Sequence, residues 1–343
     1  MPNATAEFVT QIVHFIFEPV VTQLETEPDV DTLACMLESF SELLLHGKEC
    51  VQARITAAQI QKCAAVLQLL IKESLDRRGE RETRREEDDP DEEEEEQLLG
   101  EVEREECLVQ NLVECIGALF KVYHSEFIPT FDALLLPLLQ AMLQPGAIEA
   151  DRVAALCVFD DVIEHCSVDG GSTKYVPSLF PALMQYTQDA SAEVRQAAVY
   201  GVGVMAEHVA EATFTAEMQQ QAAQTLLATV GHPEAQAEEN ASATDNAVSA
   251  IGKLCKRSET IAAAALTRWL SFLPLSSDRA EAKGVHELLC TLVEASNTHL
   301  LGANHEHLPQ VICVFAQVLN SDLIDETLNP RIANLIKLSL IHI

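Results

Sequence analysis

Asp160, Asp161 and Glu164 fall together in the stretch "CVFDDVIEHCS" that begins at Cys157. Ala155, Phe159, Val162 and Ile163 mark an apolar stripe on the same stretch, and at about 100° per residue the three carboxylates lie on its other side. Later stretches of similar pattern put Tyr200, Glu207 and Asp245 in corresponding places, with Asn246 beside the last. Carboxylates interleaved with an aromatic ring and an amide can hold Lys and Arg side chains by charge-assisted hydrogen bonds and cation–π contact. These seven residues form a candidate protein-binding strip.

A denser acidic feature lies upstream. In "EEDDPDEEEEE", Glu86, Glu87, Asp88, Asp89, Asp91, Glu92, Glu93, Glu94, Glu95 and Glu96 surround Pro90. Ten like charges repel one another and bury nothing, so an acidic disordered insert is expected at about 79–97. Its chemistry is attraction at a distance: it raises the rate at which basic surfaces are met.

Residues with catalytic potential do not assemble into a mechanism. "GVG" at Gly201–Gly203 sits inside a helical pattern, where close packing accounts for it better than a phosphate cradle. "HEH" at His305–His307 lacks the H-E-x-x-H spacing of a zinc site. The ten cysteines contain no C-x-x-C pair and read as small buried hydrophobes of a reducing compartment. No nucleophile, base and orienting group can be grouped, so neither an enzyme nor a cofactor or metal is expected.

Charge narrows the partners. The net charge is −32, and taking away the ten carboxylates of the tract still leaves −22. Such a surface repels nucleic acid and anionic membranes and attracts basic proteins. The most apolar stretch, "ALLLPLLQAML" from Ala133, is too short to cross a bilayer and contains Pro137, and the first residues carry no secretory signal.

The elements that must position these residues are helices throughout. Apolar residues recur at i, i+3, i+4 and i+7, and turn-rich breaks such as "TEPDVD", "QPGAIEAD" and "QDASAE" separate the runs. Ala155, Phe159, Val162, Ile163 and Cys166 have counterparts at Ala198, Val202, Met205, Ala206 and Val209, then at Ala243, Ala247, Ala250, Ile251 and Leu254, then from Ala282. The steps are 43, 45 and 39 residues. Helix pairs at that period indicate an all-α HEAT-repeat superhelical solenoid of about seven pairs over 1–337, with second helices starting near 30, 98, 149, 191, 238, 278 and 322. Asp189, Val194, Arg195 and Ala198 match the HEAT pattern in one unit; Asn240 stands where the next unit would carry Arg, which interrupts a continuous Asp–Arg ladder. The last six residues, "LSLIHI" (338–343), are the translation of a transposon-end sequencing adapter and are expected to be a scar.

"CVFDDVIEHCS" followed by "EVRQAAVYGVGVMAEH" from Glu193 resembles importin-β superfamily karyopherins, closest to the C-terminal part of the importin five branch. "NASATDNAVSAIGKL" from Asn240, "RWLSFLPLSSD" from Arg268 and "LPQVICVFAQVL" from Leu308 agree in order. The resemblance implies a nuclear transport receptor fragment. Its implied partners are basic cargo such as ribosomal proteins and histones, Ran-GTP and Phe-Gly nucleoporins, and it would shuttle between cytoplasm and nucleus. It also implies that second helices line the concave side, where the acidic strip would face cargo. Trp269 reads as packing between repeats, with a nucleoporin groove as the other use. The alternative from a different class is a HEAT scaffold or regulatory subunit that organises other proteins without transport.

Overall fold

A computed structural model describes residues 6–87 and 92–341. Among them are seventeen α-helices and three short 3-10 turns, with no strand. None of these helices is long and apolar enough to cross a membrane. Two compact units divide at Ser172.

The first unit contains α1 (Ala6–Leu24), α2 (Val30–His46), α3 (Lys48–Arg54), α4 (Ala57–Glu87), α5 (Glu92–Tyr123), α6 (Ile128–Leu134), α7 (Leu136–Met142) and α8 (Glu149–Cys166). Its second helices stack in chain order, α2 on α5 and α5 on α8, while α1 and α4 cover them from the other layer. Asp29 caps α2, its carboxylate accepting from the Thr32 hydroxyl at 2.7 Å and the Thr32 backbone N–H at 2.9 Å, and these two bonds, the hydroxyl first, hold its carboxyl below the usual range. An aromatic cluster fills the centre: Phe120 meets Phe127 at 4.9 Å and Phe131 at 5.0 Å edge-on, and Phe131 meets Phe159 of α8 at 6.4 Å.

The second unit contains α9 (Val176–Tyr186), α10 (Ala192–His208), α11 (Ala216–Val230), α12 (Ala241–Arg257), α13 (Glu259–Leu270), α14 (Arg279–Glu294), α15 (Thr298–Leu301), α16 (Leu308–Val318) and α17 (Leu328–Ile341). Here α10 stacks on α12, α12 on α14 and α14 on α17. Second helices begin at Val30, Glu92, Glu149, Ala192, Ala241, Arg279 and Leu328, close to the starts read from the repeat except at the second and last pairs. The helix α17 continues through Leu338–Ile341, and His342 and Ile343 lie outside the described residues.

Polar side chains lock each repeat of the second unit to the next. Arg195 donates to the carbonyls of Asp189 (2.6 Å) and Ala190 (2.8 Å) in its own turn and reaches the Asn240 amide oxygen in the following one. Asn240 therefore receives Arg195 as a carboxylate would, while its own amide N–H donates to the Glu234 carbonyl of its own turn at 3.0 Å. Trp269 is fully buried and its indole N–H donates to the Val248 carbonyl at 2.9 Å, which makes it a packing residue. Gly252 is what admits it: a Cβ there would stand 3.1 Å from the indole nitrogen and 3.0 Å from Leu288 Cδ2.

The acidic insert is more ordered than its charge suggests, and this corrects the sequence reading. Helix α4 continues through residues 79–87 and α5 already runs from Glu92, so only Asp88, Asp89, Pro90 and Asp91 lie outside the described residues. The physical reason is cross-helix pairing. Arg77 and Arg81 meet the buried Glu105, Arg84 meets Glu101 at 2.6 Å, and Arg85 meets Glu95 at 3.5 Å. Falling numbers on one helix answer rising numbers on the other, as an antiparallel hairpin requires. At about 1.5 Å per residue these two helices extend roughly 45 Å, nearly twice the length of α2 or α8.

Candidate functional site

The seven strip residues do not share one environment. Asp160 is buried on α8, neither carboxylate oxygen has a hydrogen-bond partner, and burial, reinforced by Asp161 and Glu164, pushes its carboxyl well above the usual range. Asp161 packs its carboxylate where Gly117 of α5 leaves room and lies 3.6 Å from His165, while Glu164 lies 3.9 Å from the same ring. Of this trio, only Asp161 and Glu164 reach the surface in part.

Asp245 and Asn246 are spent on structure. One Asp245 oxygen accepts the backbone N–H groups of Ser276, Ser277 and Asp278 at 3.1, 2.7 and 3.0 Å. Asn246 donates to Asp278 at 2.8 Å, and the other oxygen of Asp278 caps α14 at the Ala280 and Glu281 N–H groups. Both residues are therefore withdrawn from the open strip the sequence suggested. A single-stripe reading fails on α12 because α10, α11, α13 and α14 all pack against it, and every residue from Ala243 to Gly252 is buried.

Tyr200 and Glu207 do come together, around a residue the sequence reading passed over. Lys253 of α12 sets its ammonium 3.5 Å from Glu207, 3.3 Å from Glu281 of α14, and 5.7 Å from the centre of the Tyr200 ring. Ser249 also donates to Glu281. A groove of about 580 Å³ opens beside this group between α10, α12 and α14, with Lys256, Arg257, Gly284 and Glu287 along it. Gly203 of the "GVG" stretch faces α12, and a Cβ there would stand in ordinary contact, 3.4 Å, with Ala250 Cβ and Lys253 Cδ. A signal was present in the sequence. "KLCKR" from Lys253 to Arg257 packs three cations into five residues of a chain that has 22 in all.

Comparisons with known proteins agree with the fold and narrow the family. The Importin repeat 6 family matches residues 32–145 and the HEAT repeat family matches 179–209. A probable importin-5 homolog of Dictyostelium discoideum is 25% identical over 98% of this chain and 30% of its own length. Importin subunit beta-3 of Saccharomyces cerevisiae is 25% identical over 68% of this chain and 21% of its own. The chain is similar to importin-β karyopherins, near the importin-5 branch.

The karyopherin Kap121p supplies solved structures with the same fold. Its complex with the SUMO protease Ulp1p aligns with a TM-score of 0.77 at 19% identity, over 97% of this chain and 29% of that one. Kap121p has also been solved with RanGTP (TM-score 0.67) and with Nup53p (TM-score 0.72). The chain thus spans about a fifth to a third of the length of the relatives it matches.

The remaining sequence-predicted groups have other roles here. All ten thiols are unbridged; Cys63, Cys115, Cys166, Cys255 and Cys290 are buried as expected, whereas Cys35, Cys107 and Cys313 are exposed. Burial pushes the Cys63 and Cys255 thiols up to about 12, so neither is a thiolate at neutral pH. Among the described residues no three His, Cys, Asp or Glu side chains converge as a metal site.

Proposed function

We propose that this chain belongs to a nuclear transport receptor that binds basic cargo proteins, such as histones and ribosomal proteins, for Ran-dependent import through the nuclear pore. The observation that carries the reading is the long α4–α5 hairpin. It holds the carboxylates of Glu93–Glu96 exposed near its end, on a chain of net charge −32. A fixed cluster of negative charge steers cationic proteins into encounter and weakens with salt. The Kap121p complexes with RanGTP and Nup53p support Ran-GTP and nucleoporins as partners of the longer protein; the nucleoporins proposed for it are Phe-Gly ones. Passage between cytoplasm and nucleus follows from that role.

Binding kinetics on a histone surface test it. The chain should bind with an association rate that falls steeply with salt. Replacing Glu92–Glu96 by Gln should slow association and flatten that salt dependence while leaving dissociation nearly unchanged. Absence of binding to histones and ribosomal proteins at low salt would remove cargo recognition from this segment. Capture of Ran-GTP and Phe-Gly nucleoporin by the longer gene product tests the transport half.

A further inference from the structure

Resting on that reading, we propose that Lys253 is an autoinhibitory side chain: it occupies an alkylammonium cage formed by Tyr200, Glu207 and Glu281, which a lysine of a basic partner fills when Lys253 swings into the adjoining groove. The cage combines two carboxylates with an aromatic face, the chemistry that recognises an ammonium group, and the chain's own ammonium is seated in it. Two second helices, α10 and α14, supply its walls and α12 packed between them supplies the occupant, so its geometry is set by the repeat stack.

Two features make the occupant exchangeable. Glu207 is about half exposed, which leaves its contact with Lys253 a weak, solvent-screened one. Gly284 supplies the space. It lies inside α14, where glycine is costly, yet no heavy atom stands within 4 Å of where its Cβ would be. Neither packing nor backbone conformation demands that glycine; it leaves one wall of the groove open beside Glu281.

The rest of the groove restricts what enters. Lys256 is exposed at the end of α12, and Arg257 is held by the Ala206 carbonyl at 3.0 Å against the Phe214 ring. These cations repel a second basic residue. The partner that fits is an extended segment with one lysine for the cage and neutral or acidic residues beside Lys256.

Two measurements on the full chain test this. In Lys253→Ala the cage is vacant, and n-butylammonium at high concentration should raise its Tm above that in matched NaCl. The same addition should leave wild type and Lys253→Ala/Glu281→Gln unmoved. In histone binding, Lys253→Ala should tighten affinity by about 3- to 10-fold, the range one displaced ion pair provides. Adding Glu281→Gln should cancel the gain, and Gly284→Leu, which fills the groove and favours the helix, should reduce it. Histone binding that is unchanged or weaker in Lys253→Ala overturns the proposal while leaving cargo binding intact. Rescue by n-butylammonium with no histone binding to any variant keeps the cage but overturns both its competition with cargo and the cargo reading.

Discussion

At the scale of single residues, Asp160 sets up a liability that pH exposes. Its carboxyl is buried without a hydrogen-bond partner beside two further carboxylates, and all of this favours the neutral form. In the unfolded chain it ionises in the ordinary range, so the native state holds the extra proton and stability falls as pH rises above that range. Asp160→Asn keeps the shape and removes the titration. The variant should match wild type in Tm near pH 4 and become the more stable protein toward pH 7, by up to about 1.4 kcal/mol for each pH unit crossed. Parallel pH profiles for the two proteins would show that Asp160 does not titrate with folding. The carboxylate was legible in "FDDVIEHC" but its burial was not, because helical periodicity reports one packed face and says nothing of how far neighbouring elements wrap around it.

At the scale of elements, the repeat itself was the most legible feature. Its period placed five of the seven second helices within three residues of their starts, since Ala and Leu stripes and turn residues are local signals. The partners of polar residues between repeats were not legible. Asp245 and Asn246 looked like surface groups, and they instead hold the Ser276–Asp278 turn from more than thirty residues away in sequence. Asp245→Ala would leave three backbone N–H groups without their acceptor and loosen the α14 cap. A loss of roughly 2 to 4 kcal/mol in chemical denaturation is expected, against about 1 kcal/mol or less for the exposed Glu207→Ala. Equal losses would mean that the clamp is not what joins these repeats. The same long-range logic hid the cage: Lys253 was visible, but Glu281 reaches it only once α14 has stacked on α12.

At the scale of the whole molecule, charge is spread over both units, yet its one concentrated block rides on a hairpin with a built-in gradient of burial. Near its base Glu105 is buried between Ser74, Arg77 and Arg81; further out the Arg84–Glu101 and Arg85–Glu95 pairs stand in water. Exposed pairs are screened within a Debye length of about 8 Å at physiological ionic strength, whereas the buried group is shielded from that screening. Backbone amide exchange should therefore quicken from base to tip. Raising salt should move the fast-exchanging boundary inward only as far as the Arg81–Glu105 level. Uniform exchange along both helices, or exchange indifferent to salt, would refute this. With that gradient the hairpin behaves as an arm whose stiff length depends on ionic strength: in dilute buffer its carboxylates are presented at a nearly fixed distance from the helix stack, and in concentrated salt the same charges sweep a wider volume on a softened tether. Capture radius and grip strength would change in opposite directions with one solution variable.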